Sequence, residues 1–146
     1  MRKTLLPLAF IIAFAPVAAA QTVQNVLAEA GVLGRWANDC SRPAGGGNIY
    51  TTYAADAAGE VTLSYDHGAG YTPTVNTILS ARQTAPDRVA YEQVNKSNGT
   101  RLSIVLTISA THIRVWSSTR DNGQALVANG KFVSDGADSP LQARCN

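Results

Sequence analysis

His67 and His112 are the two histidines of the 146-residue sequence and the side chains best suited to acid–base work near neutral pH. His67 sits in the run Asp66-His67-Gly68-Ala69-Gly70-Tyr71, where a glycine-rich loop follows a carboxylate. Neighbours on a strand point to opposite faces, so Asp66 and His67 are not expected to form a catalytic pair, and His67 reads as a solvated loop residue. His112 opens a strand beside Arg114 and is expected at the surface or rim. No Gly-x-Ser-x-Gly elbow presents a serine. No catalytic residue is assigned, and the chain is not expected to be an enzyme.

Metal and cofactor chemistry is equally sparse. Asp135-Gly136-Ala137-Asp138-Ser139 lacks the acidic run and closing Glu of a calcium loop. The cysteines show no Cys-x-x-Cys spacing and have no paired histidines nearby. Ala44-Gly45-Gly46-Gly47 reads as a flexible loop, without the motif of a phosphate cradle. No metal and no cofactor is expected. The aromatics remain: Tyr50, Tyr53, Tyr65, Tyr71, Tyr91 and Trp116 could give specificity to a small pocket or a protein-facing patch. Tyr53, Tyr65 and Tyr91, with Leu63, form the candidate ligand-binding set, although a plain core would show the same pattern.

These groups need elements to position them. Residues 1–20 read as a signal peptide: Met1-Arg2-Lys3 is basic, Leu5 to Val17 is apolar, and Ala18-Ala19-Ala20 supplies a cleavage site. The apolar run is short for a transmembrane helix, and no later one is longer. The expected product is periplasmic or secreted and forms a single domain over 21–146. Arg2 and Lys3 belong to the signal, so ten basic residues then balance ten acidic ones. No basic footprint for nucleic acid remains.

After the signal, Thr22 can cap a short helix carrying Val23, Val26, Leu27 and Ala30, which Gly31 stops. The remainder reads as strands near 33–39, 48–55, 60–66, 73–82, 88–95, 100–109, 111–119, 124–128 and 131–134. Asn98-Gly99, Asn122-Gly123 and Asn129-Gly130 are expected to place pairs of residues at positive φ in hairpin turns. Leu102, Ile104, Leu106 and Ile108 share one face; Val61, Leu63 and Tyr65 do the same on an earlier strand. Sequential hairpins make an antiparallel up-and-down meander, and closure into an all-β barrel removes its open edges. A two-sheet sandwich is the alternative. Cys40 and Cys145 allow one intramolecular bridge in an oxidising compartment, tying the first strand to the chain's end.

The helix leading into Gly34-Arg35-Trp36 resembles the opening Gly-x-Trp of lipocalin-like (calycin) barrels. The resemblance implies that Trp36 packs across the closed end of a small barrel. It also implies that a basic residue at the last strand, here Arg144, lies over the indole. The run Gly34-x-Trp36-x-x-Asp39-Cys40, with Arg144-Cys145, is similar to small secreted bacterial proteins of no established activity. The late-strand Thr-Asp of lipocalins is replaced by Ala110-Thr111-His112, and the short chain argues against a roomy cavity.

The functional expectation is a non-enzymatic binding protein for a small apolar or amphipathic ligand. The alternative is an interaction module of the periplasm or envelope, with an envelope protein as partner. It would be similar to barrel inhibitors of secreted proteases that insert an N-terminal segment into their target. The helix expected at Thr22 to Ala30 counts against that mode of action.

Overall fold

The computed structural model describes residues 21–146, and the expected signal peptide lies outside the described residues. The chain begins with helix α1 (Val23–Glu29), capped by Thr22, whose hydroxyl accepts the Asn25 amide at 3.1 Å. Gly31, at φ 71°, ends it. The Gly31 amide bonds the Ala28 carbonyl at 2.9 Å and the Val32 amide bonds the Leu27 carbonyl at 2.8 Å. This pair of bonds is a Schellman closure, which turns the chain sharply and carries Val32 into the core. Among the described residues no helix is long and apolar enough to cross a membrane.

Ten strands follow: β1 (Gly34–Ala37), β2 (Tyr50–Ala55), β3 (Val61–Asp66), β4 (Thr74–Ala85), β5 (Arg88–Asn95), β6 (Arg101–Ile108), β7 (His112–Arg120), β8 (Ala125–Ala128), β9 (Lys131–Phe132) and β10 (Leu141–Cys145). β1 to β7 pair in sequence, each antiparallel to the last. β10 then fits between β7 and β1 and closes a barrel of eight antiparallel strands. The expected closed all-β meander with one short helix is therefore observed.

Two features depart from the sequence reading. The strands expected at 124–128 and 131–134 form a small hairpin, β8–β9, that pairs with the far end of β7 outside the closed ring. The strand that closes the ring, β10, was not expected as a strand. Its sequence, Leu-Gln-Ala-Arg-Cys, has no β-branched residue, and its alternation runs against the usual sense: Gln142 and Arg144 share the inward face with Ile113 and Trp36, while Leu141 is 57% exposed. Its conformation is imposed by neighbours on both sides.

The turns also divide. Asn129 (φ 53°) and Gly130 (φ 72°) form the expected two-residue turn, joining Ala128 to its partner Lys131. Asn98 and Asn122 do not take positive φ. Those hairpins have longer loops, in which Asn98 Oδ1 accepts the Thr100 amide and Asn122 Oδ1 accepts the Gln124 amide.

One end of the barrel is packed solid. α1 lays Leu27 against it, and Val32, Trp36, Val61, Leu63, Val89 and Leu106 are almost wholly inaccessible. Trp36 Nε1 donates to the Val32 carbonyl at 2.9 Å. Arg144, directly opposite Trp36 in the β1–β10 register, places its guanidinium carbon 4.2 Å from the indole centroid. The same guanidinium donates to the carbonyls of Leu33, at 3.1 Å, and Gly31. Gly34 lies beneath it at φ 133°, and a Cβ there would stand 2.9 Å from Arg144 Nη1.

Cys40 and Cys145 are joined, with Cα atoms 5.4 Å apart across a separation of 105 residues. Beyond β1 the chain doubles back over the outside of the barrel. There the Tyr50 hydroxyl donates to the Cys40 and Arg42 carbonyls, and Asn48 Nδ2 bonds the carbonyls of Asp39, Arg42 and Pro43.

Replacing both cysteines by serine should cost about 4 to 5 kcal/mol of unfolding free energy, as loop entropy predicts for a ring of this length. Urea denaturation checks it; a loss below 1 kcal/mol would show that β10 closes the barrel unaided. Gly34→Ala should cost about 1–3 kcal/mol, because the residue is strained and its Cβ displaces the guanidinium. In an Arg144→Ala background the cost should shrink, and additive losses in this double-mutant cycle would refute the contact.

Candidate functional site

The opposite end of the barrel, where the β1–β2, β3–β4, β5–β6 and β7–β8 loops gather, is not filled. The transition follows the inward-facing residues of each strand. β4 runs upward from Ile78 to Asn76 and Thr74, β5 from Tyr91 to Gln93 and Asn95, and β6 from Ile104 to Leu102 and Thr100. On β4 and β5 apolar side chains give way to carboxamides within two residues, while on β6 Leu102 carries the apolar wall one step further before Thr100.

Two spaces result. One is a mainly apolar cavity of about 140 Å³ walled chiefly by Thr51, Tyr53, Tyr65, Leu106, Ile113 and Val115, with Asn38, Arg114 and Gln142 as further polar contacts. The second, of about 280 Å³, is the mouth itself, lined by Tyr65, Asn76, Gln93, Asn95, Asn98 and Arg120 among others. Tyr65 belongs to both walls.

Arg120 reaches the mouth through a bulge. Leu106 faces Val115 and Val105 faces Ser117, leaving Trp116 as an extra residue. Past this point the inward positions become Ser118 and Arg120, opposite Ile104 and Leu102. Trp116 is thrown outward, under the guanidinium of Arg88 at 4.7 Å, and so is not a pocket group. A similar bulge in β4 expels Leu79, which is 40% exposed.

The phenols in the interior are held neutral. Tyr53 and Tyr91 share a hydroxyl–hydroxyl bond of 3.0 Å, their rings edge to face at 6.1 Å and 86°. Burial drives both pKa values well above the ordinary phenol range, and neighbouring phenols add to the effect. Burial pushes Tyr65 up to about 12, with the adjacent Gln93 amide opposing the shift. Gln93 is 3% exposed, and although it lies beside Tyr65 its Oε1 is buried with no hydrogen-bond partner among the described residues. An orphaned buried carbonyl costs roughly 1–3 kcal/mol, so this position is not optimised for stability.

The four residues of the expected ligand-binding set all face the interior, with different surroundings. Leu63 and Tyr91 are enclosed in the core, Tyr53 joins the core to the cavity wall, and Tyr65 lines both spaces. Sequence reasoning missed Gln93, Asn76, Asn95 and Arg120. Gln93 and Asn95 carried a usable signal, since they continue the inward parity of Tyr91. Arg120 carried none, because its orientation depends on the bulge.

The remaining candidates are scattered. His67 lies in the β3–β4 loop, its ring centroid 6.3 Å from that of Tyr71, which is 70% exposed. His112 starts β7 near the packed end, with Nδ1 2.8 Å from Thr111 Oγ1. Asp138 is paired with Arg114 at 3.0 Å and Lys131 at 2.9 Å, and Asp135 caps the Ala137 amide. Among the described residues no cluster of three or more His, Cys, Asp or Glu is arranged to hold a metal ion. Comparison with protein-family models, curated proteins and solved structures finds no match to this chain.

The buried phenols fix the sign of an alkaline effect. Their folded pKa values lie above the unfolded value of about 10, so above that pH the unfolded chain binds fewer protons than the folded one. Stability should hold below about pH 10 and fall above it, approaching 1.4 kcal/mol per pH unit for each phenol that stays protonated. Denaturant titrations between pH 9 and about 12 test this. Tyr53→Phe should reduce the slope, and a flat profile would contradict the burial argument.

Proposed function

We propose that this chain is a non-enzymatic binding protein, built as a lipocalin-like barrel, that holds a small amphipathic ligand at its unfilled end. The observation carrying this reading is the apolar cavity of about 140 Å³ beside a polar mouth, with Tyr65 in both walls. The volume is comparable to an apolar cavity of about 150 Å³ that takes up benzene. A ligand here would bury a short chain or single ring and keep its polar group in the mouth. The expected export, the Cys40–Cys145 bridge and the Gly34, Trp36 and Arg144 arrangement accord with a periplasmic or secreted carrier.

The absence of catalysis in this reading rests on placement. His67 and His112 belong to opposite ends of the barrel, and Asp66 spends its carboxylate on the Gly68 amide at 2.9 Å. The protease-inhibitor analogy requires a free N-terminal segment, whereas Val23–Glu29 is a helix docked through Val26 and Leu27.

Toluene and 1-hexanol are the first probes. Saturable changes in the NMR signals of Thr51, Tyr65, Ile113 and Val115 are expected, and a probe at ten times its Kd should add about 1.4 kcal/mol of stability. Val115→Phe should fill the cavity and abolish binding, with an overpacking cost of about 1–3 kcal/mol that leaves the barrel folded. If neither probe perturbs these residues at millimolar concentration, the cavity is not a binding site.

A further inference from the structure

The wall of the mouth is divided by what its groups can still do. Asn95 Oδ1 already accepts from the Ser97 amide at 2.9 Å, the Ser97 hydroxyl at 2.6 Å and the Asn98 amide at 3.1 Å. Asn98 Oδ1 accepts the Thr100 amide at 2.9 Å. Both carboxamides thus spend their oxygens in the β5–β6 turn, and what they chiefly have left is the Nδ2 donor pair. Arg120 adds a guanidinium that forms no ion pair among the described residues. Among the described residues no carboxylate lines the mouth. Its outer part is therefore rich in donors and carries one positive charge.

The buried part has the opposite need. Gln93 Oε1 is enclosed and unpartnered, next to the Tyr65 phenol that also walls the apolar cavity. An anionic oxygen placed there would face a carbonyl oxygen, whereas an N–H or O–H would satisfy it. From outside inward, the sequence of demands is acceptor or anion, then donor, then hydrocarbon.

We propose that the mouth recognises an acidic amphiphile whose carboxylate lies a few bonds from an N–H or O–H donor, the pattern of an N-acyl amino acid or a hydroxy fatty acid. The donor serves Gln93 Oε1, the carboxylate meets Arg120 with the Asn95 and Asn98 amides, and the tail enters the cavity beside Tyr65. A cavity of this size takes a tail of roughly five or six carbons. The proposal rests on the binding reading above and adds the chemistry of the head group.

N-hexanoylglycine, its uncharged glycinamide, and hexanoate separate the contributions, with toluene reporting the cavity alone. Calorimetric titration should give N-hexanoylglycine about tenfold tighter binding than hexanoate, which lacks the donor. It should also bind about three- to fivefold more tightly than the glycinamide, the exposure of Arg120 limiting the gain. Gln93→Leu should erase the first difference and Arg120→Gln the second. Gln93→Leu should keep its toluene binding and a cooperative thermal transition, so a lost preference cannot be ascribed to misfolding. 3-Hydroxyoctanoate in place of N-hexanoylglycine tells an O–H donor from an N–H donor. Equal affinities in the parent protein, or differences that survive both variants, would overturn the head-group assignment; continued toluene binding would then leave the cavity reading intact. Loss of toluene binding as well would remove both.

Discussion

The placement of Arg144 opposite Trp36 is the constraint on which the rest of the barrel depends. Helix α1 ends at a Schellman turn, and the segment leading into β1 leaves the Gly31 and Leu33 carbonyls to be satisfied from elsewhere. The Arg144 guanidinium bonds both while covering the indole, so one side chain joins the helix exit, the first strand and the last. A lysine could supply the charge but not the planar fork that meets two carbonyls and stacks on a ring. The disulfide at the next residue holds the same crossing from the outside.

Register propagates from that crossing. With Trp36 inward, its partner Thr51 is inward, which fixes Tyr53 on β2, Leu63 and Tyr65 on β3, and Asn76 and Ile78 on β4. A slip of one residue at β1–β10 would turn each of these to the opposite face. The two bulges then act as local corrections to the parity. The Leu79 bulge brings small Ala81 opposite Tyr91, where the ring needs space, and the Trp116 bulge converts an outward Arg120 into an inward one. The mouth is thus assembled from a register set at the far end and from one extra residue in β7.

What could be read from the sequence follows the same division. Leu102, Ile104, Leu106 and Ile108 announce their face because alternation is a local property that needs no partner. Asn129-Gly130 announces its turn because a two-residue hairpin demands positive φ at both positions. Asn98 and Asn122 misled because their loops are longer, and their side chains cap amides without the backbone leaving ordinary φ. β10 was illegible since five residues of low strand propensity become a strand only when paired on both edges. Its neighbourhood was nevertheless inferable from Cys145. Among the site residues, the tyrosines were legible as aromatic mass; Gln93 and Asn95 could be recovered by extending the Tyr91 parity, and Arg120 could not.

The interior hydroxyls and amides explain why the upper half stays open. Tyr53 and Tyr91 share one hydrogen bond, so each of the two buried hydroxyls has a partner. Tyr65 has no such twin and is set beside Gln93, whose Oε1 remains without a donor. A barrel shaped by stability alone would resolve this with a phenylalanine at 65 and a leucine at 93 together, since replacing both members of a mismatched polar pair by apolar groups of similar shape is close to neutral or favourable. Above that level Asn76, Asn95 and Arg120 continue the polar lining toward solvent, where further apolar residues would have sealed the end. The unsatisfied group therefore lies at the boundary between a core that needs nothing more and a mouth that does, and a bound donor would relieve it.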